Sequence, residues 1–254
     1  MRLKRWALLA AALIGLPAVS GSANPPHDRS YYESRGDIIW EAPTQDKRIA
    51  LTFDDGPDPA STPEILDLLR QYGAKATFFT IGRRVDAYPD VVKREIAEGH
   101  EVANHTYNHV YFGSRIGPSM IRDELAKADQ AIWAATGRHS RLFRPPGGYY
   151  NDTVVGVAKK SGYTIVLWSW HQDTKDWRAP GVAKIAGKVL NNARNGDIVL
   201  MHDHVRGSRQ TVEALKIILP ELKKRGYEMV TVSELTRHLD RPDGTGRRGI
   251  ESSK

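Results

Sequence analysis

The chain has 254 residues, 37 Lys and Arg against 30 Asp and Glu, a formal charge of +7 and no cysteine. That length holds one domain with a full core, and the missing cysteine excludes both disulfides and a lipid-attachment thiol. Lys and Arg are spread rather than clustered, so nucleic acid is a poor partner; a mild basic excess suits anionic cell-wall or surface polymers.

Residues 1–23 open with Arg2, Lys4 and Arg5, run apolar over 6–19 and close on Ser20-Gly21-Ser22-Ala23. This is the layout of a secretory signal peptide, and removing its three positive charges leaves +4 on the rest. A retained membrane anchor is the competing reading. The apolar run is short of the roughly 20 residues a span needs and is interrupted by Gly15 and Pro17. The expected product is therefore secreted, periplasmic or cell-wall associated, without a stable membrane span, and monomeric. Residues 24–46 read as a lead-in, flexible or ordered on docking. Residues 47–240 read as the single folded domain, and 241–254, rich in Gly, Ser and charge, as a disordered tail.

Within the domain, seven short runs predict buried strands, at 48–53, 76–81, 101–104, 142–144, 163–169, 197–201 and 228–232. Between them lie predicted helices at 63–72, 89–98, 118–136, 153–160, 182–193 and 211–224. Strand and helix alternate, which calls for parallel strands wrapped by helices. Gly73, Gly99, Gly137, Gly162, Gly196 and Gly226 each stand just past a helical stretch, where a left-handed cap is expected.

The first strand ends in Asp54 and Asp55, and Gly56-Pro57 turns the chain away. Asp-Asp-Gly-Pro is also ordinary turn chemistry. At a buried strand end, however, two adjacent carboxylates need a cation or donors to hold both ionised. His105 and His109, spaced i, i+4, would share one face of a helical turn, the spacing of a histidine pair on one metal ion, although a solvated helical face gives the same spacing. Two imidazoles and one carboxylate make an open catalytic site, with room for water or substrate. Arg144-Pro145-Pro146-Gly147, the stretch from Asp173 to Trp177, and His202 also fall at the C-terminal ends of strands, where barrel active sites are built.

These motifs resemble those of the polysaccharide deacetylases of carbohydrate esterase family four. Thr-Phe-Asp-Asp-Gly-Pro at 52–57, His-Thr-x-x-His at 105–109, Arg-Pro-Pro-Gly at 144–147, Asp-x-x-Asp-Trp at 173–177 and Leu-Met-His at 200–202 occur in order, and the likeness covers about 47–237. It implies an α/β fold, a distorted (β/α) barrel of about seven parallel strands, and metal-dependent removal of N-acetyl, sometimes O-acetyl, groups from sugars. It further implies Asp55, His105 and His109 as metal ligands, Zn2+ being the first expectation with Co2+ able to substitute. Asp54 matches the general base and His202 the general acid. Arg144 matches the partner of the base, and Asp176 the acid that tunes His202, with Asp173 as the alternative. Gly147 stands where several relatives carry tyrosine; its N–H is the expected oxyanion donor, and Tyr149 or Tyr150 is expected to fill the space. Trp177 and Leu200 match the groove wall and the pocket for the acetyl methyl.

His204 is read as a loop residue rather than a third metal histidine. Trp168 and Trp170 are read as core, and His27, His100, His139, His171 and His238 are given no function. The substrate expected is a β-1,4-linked N-acetylglucosamine polymer or oligomer, chitin fragment or peptidoglycan. An acetylxylan-type O-esterase is the alternative enzyme, and a noncatalytic glycan-binding module the alternative of another class.

Overall fold

The structure, a computed structural model, describes residues 27–113 and 115–239. The expected signal peptide at 1–23 and tail at 241–254 lie outside the described residues. The lead-in contributes helix α1 (Arg29–Ser34) and strand β1 (Ile38–Ile39), followed by β2 (Arg48–Asp54), α2 (Ser61–Gln71) and β3 (Ala76–Thr80). Then come α3 (Gly82–Ala87), α4 (Pro89–Ala97), β4 (Glu101–Asn104), α5 (Pro118–Thr136), β5 (Leu142–Phe143) and α6 (Asp152–Lys160). The chain finishes with β6 (Thr164–Val166), α7 (Val182–Leu190), β7 (Ile198–His202), α8 (Gln210–Lys224), β8 (Glu228–Met229) and α9 (Val232–Thr236).

The strands run β1-β6-β5-β4-β3-β2-β7, with β8 also paired to β2, and all pairings are parallel. This is the parallel, helix-wrapped sheet expected from the alternation, in the distorted (β/α) barrel form that the family resemblance implied. The seven expected strands form, and β1, too short to give a periodic signal, joins as an extra edge. No ladder links β1 to β7. The gap is bridged instead by the Ala42 N–H on the Gly196 carbonyl (2.9 Å), the Ser169 N–H on the Ile198 carbonyl (3.0 Å) and an antiparallel bridge between Glu41 and Asp197. The six glycines expected past helix ends all have positive φ.

Side-chain alternation explains how this sheet makes a site. On β2, Ile49, Leu51 and Phe53 face outward, and with Val199 and Met201 of β7 they join the buried layer beneath α2, α7 and α8. Each such side chain contributes roughly 1.5–3 kcal/mol by leaving water, so the strands are firmly held. The inward positions read Ala50, Thr52, Asp54 on β2 and Ile198, Leu200, His202 on β7, paired in that register. At the N-terminal end, Ala50 and Ile198 meet Val232 and Leu235 of α9 in an apolar plug. The same faces become polar toward the C-terminal end.

Two expectations change here. The strand expected at 163–169 stops at Val166; Trp168 packs against the core, but Trp170 opens a 3-10 turn and is exposed. It is not core because the chain has left the sheet, so period-two alternation no longer applies.

Candidate metal centre and catalytic cleft

Asp54 ends β2, and Asp55 follows with φ 75, a left-handed turn that sends the adjacent carboxylates in different directions. Asp55 Oδ1 lies 3.1 Å from His109 Nε2 and 3.4 Å from His105 Nε2. Burial disfavours the Asp55 carboxylate, but the two imidazoles hold it well below the usual carboxylate range.

The histidines do not sit on a helical turn, contrary to the i, i+4 expectation. Residues 105–109 form a loop, with Thr106 at φ 67 and His109 at φ 61. Side chains meet the donors of this loop: Asn104 Oδ1 accepts from the Thr106 N–H (2.9 Å), and Glu124 Oε2 of α5 accepts from the N–H groups of Tyr107 (3.0 Å) and Asn108 (2.7 Å). The folded-back loop brings the two rings to 5.2 Å.

A cation fits these residues on two observations. Asp55 Oδ1 is buried without a hydrogen-bond partner. His105 Nδ1 is 2.7 Å from the Arg144 carbonyl, which can only accept; Nδ1 therefore carries the proton, and the Nε2 lone pair faces Asp55. The donor atoms of Asp55, His105 and His109 lie within 4.8 Å of one another, and one carboxylate with two imidazoles leaves positions open.

Arg144 is fully buried, and it does not grip Asp54 as a two-pronged fork. One terminal nitrogen donates to both Asp54 Oδ1 (2.6 Å) and Thr52 Oγ1 (2.8 Å), while Nε and the other nitrogen donate to the Val166 (3.0 Å) and Leu167 (2.8 Å) carbonyls. Burial lowers the Arg144 pKa, and Asp54 opposes that. Thr52, within the Thr-Phe-Asp-Asp-Gly-Pro motif, thus shares the guanidinium nitrogen with Asp54 and itself donates to the Val199 carbonyl (2.6 Å).

His202 ends β7 in register with Asp54. Its Nδ1 donates to Asp176 Oδ1 and its backbone N–H to Asp176 Oδ2, both at 2.7 Å. Thr211 Oγ1 of α8 also donates to Asp176 Oδ2 (2.7 Å). Burial alone would lower the His202 pKa; the Asp176 carboxylate outweighs it and raises the value to about 9. Asp173 instead accepts from the Lys175 N–H, so Asp176 is the acid beside His202. Nothing near Asp176 in the sequence signals Thr211.

Leu200 is buried one inward step below His202, and its carbonyl accepts from Thr174 Oγ1. Trp177 is about half exposed, with the Arg178 guanidinium 4.5 Å from its ring centre. Gly147 has φ 64. Tyr149 lies beside it, whereas Tyr150 packs edge-on against Tyr32 and Trp40. Tyr111, unmarked by any motif, stands edge-on to the His109 ring at 5.2 Å. His204 Nδ1 pairs with Asp58 Oδ2 (2.8 Å).

The polysaccharide deacetylase family model matches residues 41–166. A peptidoglycan-N-acetylglucosamine deacetylase of Bacillus cereus is 53% identical over 211 residues, covering 83% of this chain and 98% of the relative. The chain belongs to the polysaccharide deacetylase family. A chitooligosaccharide deacetylase of Bradyrhizobium is 40% identical over 201 residues, 74% of this chain and 90% of the relative. Among solved structures, the Bc1960 peptidoglycan N-acetylglucosamine deacetylase superposes with a TM-score of 0.75 at 32% identity, covering 81% of this chain and 95% of that one. A family 4 acetyl xylan esterase from Clostridium thermocellum, in complex with cobalt, gives 0.69 at 35% identity, covering 76% and 91%. As a member of carbohydrate esterase family four, the chain is a carbohydrate deacetylase, the enzyme class its motifs implied. No helix of the described residues is long and apolar enough to cross a membrane.

Proposed function

We propose that this chain is an exported, divalent-metal-dependent N-deacetylase of β-1,4-linked N-acetylglucosamine chains, with peptidoglycan glycan as first substrate and chitin oligomers as second. One observation carries the reading: Asp54 and His202 occupy register-paired ends of adjacent strands, beside a carboxylate and two imidazoles with an unpartnered buried oxygen. An acetamide is a poor electrophile with a poor leaving group. Its hydrolysis needs an activated water, a polarised carbonyl and a proton for the amine. When bound to Asp55, His105 and His109, a divalent ion, zinc first and cobalt as substitute, would supply Lewis acidity for the first two.

The remaining work falls to the protein. Asp54, oriented by Arg144, accepts the proton of the attacking water. The Gly147 N–H serves the developing oxyanion. His202, kept protonated by Asp176, delivers a proton to the departing amine. Leu200 offers an apolar contact for the acetyl methyl, and Trp177 and Tyr149 line the sugar groove. Both peptidoglycan and chitooligosaccharide relatives support an N-acetylated glycan; the acetyl xylan esterase neighbour keeps O-deacetylation as the second reading. A noncatalytic module would lack the base, a ligand or the acid, and this chain has all three.

The test is acetate release and product mass spectrometry on peptidoglycan, N-acetylglucosamine oligomers and acetylxylan, before and after chelation and with zinc or cobalt restored. Release from the first two that stops on chelation supports the proposal. Preferential release from acetylxylan would replace it, and full activity in protein shown metal-free by elemental analysis would remove the metal.

A further inference from the structure

Gly147 leaves a space that two aromatic rings fill. A Cβ on this residue would come within 2.7 Å of Tyr111 Cε1 and 3.0 Å of Tyr149 Cε2, so the two rings cover this stretch of backbone. Tyr111 reaches it from the loop after His109, and Tyr149 from the turn after β5. Their ring centres are 5.9 Å apart at 71°, an edge-to-face pair. Tyr111 also meets the His109 ring edge-on.

Neither ring belongs to a buried cluster. Tyr111 is 55% exposed and Tyr149 59%. Two adjoining aromatic faces left in water beside a catalytic cleft forgo roughly 25 cal/mol for each Å² of apolar surface, and such a patch marks a binding surface. In a β-linked glucosamine unit the ring substituents are equatorial, so both faces of the sugar present C–H groups, the complement of an aromatic face. Trp177, next to the residue that holds His202, already stands on the acid side. Tyr111 stands on the side of the metal ligands.

We propose that Tyr111, braced by Tyr149 over Gly147, is a specificity-determining residue that binds a sugar ring of the glycan on the metal-ligand side of the cleft. The inference rests on the deacetylase reading and adds to it the residue that selects a pyranose chain over a small acetate. The Tyr111 hydroxyl takes no part. Tyr111→Phe should therefore retain function, whereas Tyr111→Ala should not.

The test compares wild type, Tyr111→Ala, Tyr111→Phe and Tyr149→Ala as full chains. It measures calorimetric affinity for an N-acetylglucosamine tetramer, KM and kcat on that tetramer, kcat/KM on 4-nitrophenyl acetate, and zinc content. Tyr111→Ala should weaken tetramer affinity and raise KM about tenfold, with kcat, zinc content and ester hydrolysis unchanged within about twofold. Tyr149→Ala, which removes the ring paired with Tyr111, should show a smaller loss of the same kind, and Tyr111→Phe should match wild type. Unchanged tetramer affinity in Tyr111→Ala overturns the proposal. So does equal loss on tetramer and ester with zinc depleted, because the ring would then only prop His109. A wild type that binds the tetramer without releasing acetate would retire the deacetylase reading, while the affinities of the variants would still decide the role of Tyr111.

Discussion

Two groups of histidine and carboxylate converge within the described residues, one beyond the C-terminal ends of β2 and β4 and one at the start of β7, and only the first leaves a buried carboxylate oxygen unmet. At the C-terminal end, Asp55, His105 and His109 converge with Asp55 Oδ1 unpartnered. At the start of β7, Glu41, His171 and Asp197 also converge within 4.8 Å, but their carboxylates are occupied. Asp197 accepts from His171 Nε2 (2.9 Å), Gln172 Nε2 (2.8 Å) and the Arg194 N–H (2.9 Å), and Glu41 pairs with Arg29 (2.8 Å). The second group joins segments where the barrel has no ladder. Residue types and distances alone do not separate the two groups; what differs is that the buried carboxylate oxygens of Asp197 are met by donors while Asp55 Oδ1 is not.

The sharpest way to break this contrast is within the adjacent acids. Asp54→Asn should keep metal and lose turnover by about 10²–10⁴, the scale of a general base, whereas Asp55→Asn should lose the metal itself. Metal stoichiometry and acetate release on both variants decide it; the opposite pattern would exchange the two roles.

His202→Ala should slow amide hydrolysis by about 10² or more and an activated acetate ester by less, since an alkoxide or phenolate leaves with less help from a proton. Equal losses in kcat/KM would make His202 a structural residue.

The pH behaviour of His202 gives a third measurement. Its raised value of about 9 means that the protonated acid persists through neutral pH, and that its contribution to stability, complete below the unfolded value of about 6.5, fades as pH rises through about 9. In the metal-free protein, NMR titration of Asp176→Asn should move the value down toward the unfolded one. An unmoved titration would mean that Asp176 is not the cause.

The smallest effect on chemistry is expected at the second group. Asp197→Asn should leave metal content and turnover per folded molecule unchanged while costing about 1–3 kcal/mol in denaturant unfolding. Loss of bound metal in that variant would collapse the distinction between the two groups.

Much of this was legible in the sequence. The strand–helix alternation, the capping glycines and the placement of Asp54, Asp55, Arg144 and His202 at strand ends follow from local patterns. The conformation at 105–109 did not, because Glu124, from a helix that follows in the chain, holds the Tyr107 and Asn108 amides of the loop. Tyr111 and Thr211 were invisible for the same kind of reason: each acquires its place through a partner distant in sequence or on another loop. Trp170 lies four residues beyond Val166, the last paired residue of β6, where alternation no longer holds.

Arg144 divides its labour between two kinds of atom. Its guanidinium donates to Asp54, the proposed base, while its carbonyl fixes the tautomer of His105, a proposed ligand. Every amino acid brings a carbonyl, but only arginine brings that guanidinium. On the proposed roles, losing the guanidinium at 144 would remove the partner of the base without removing the carbonyl that faces His105, so holding an ion and using it would rest on different atoms of one residue.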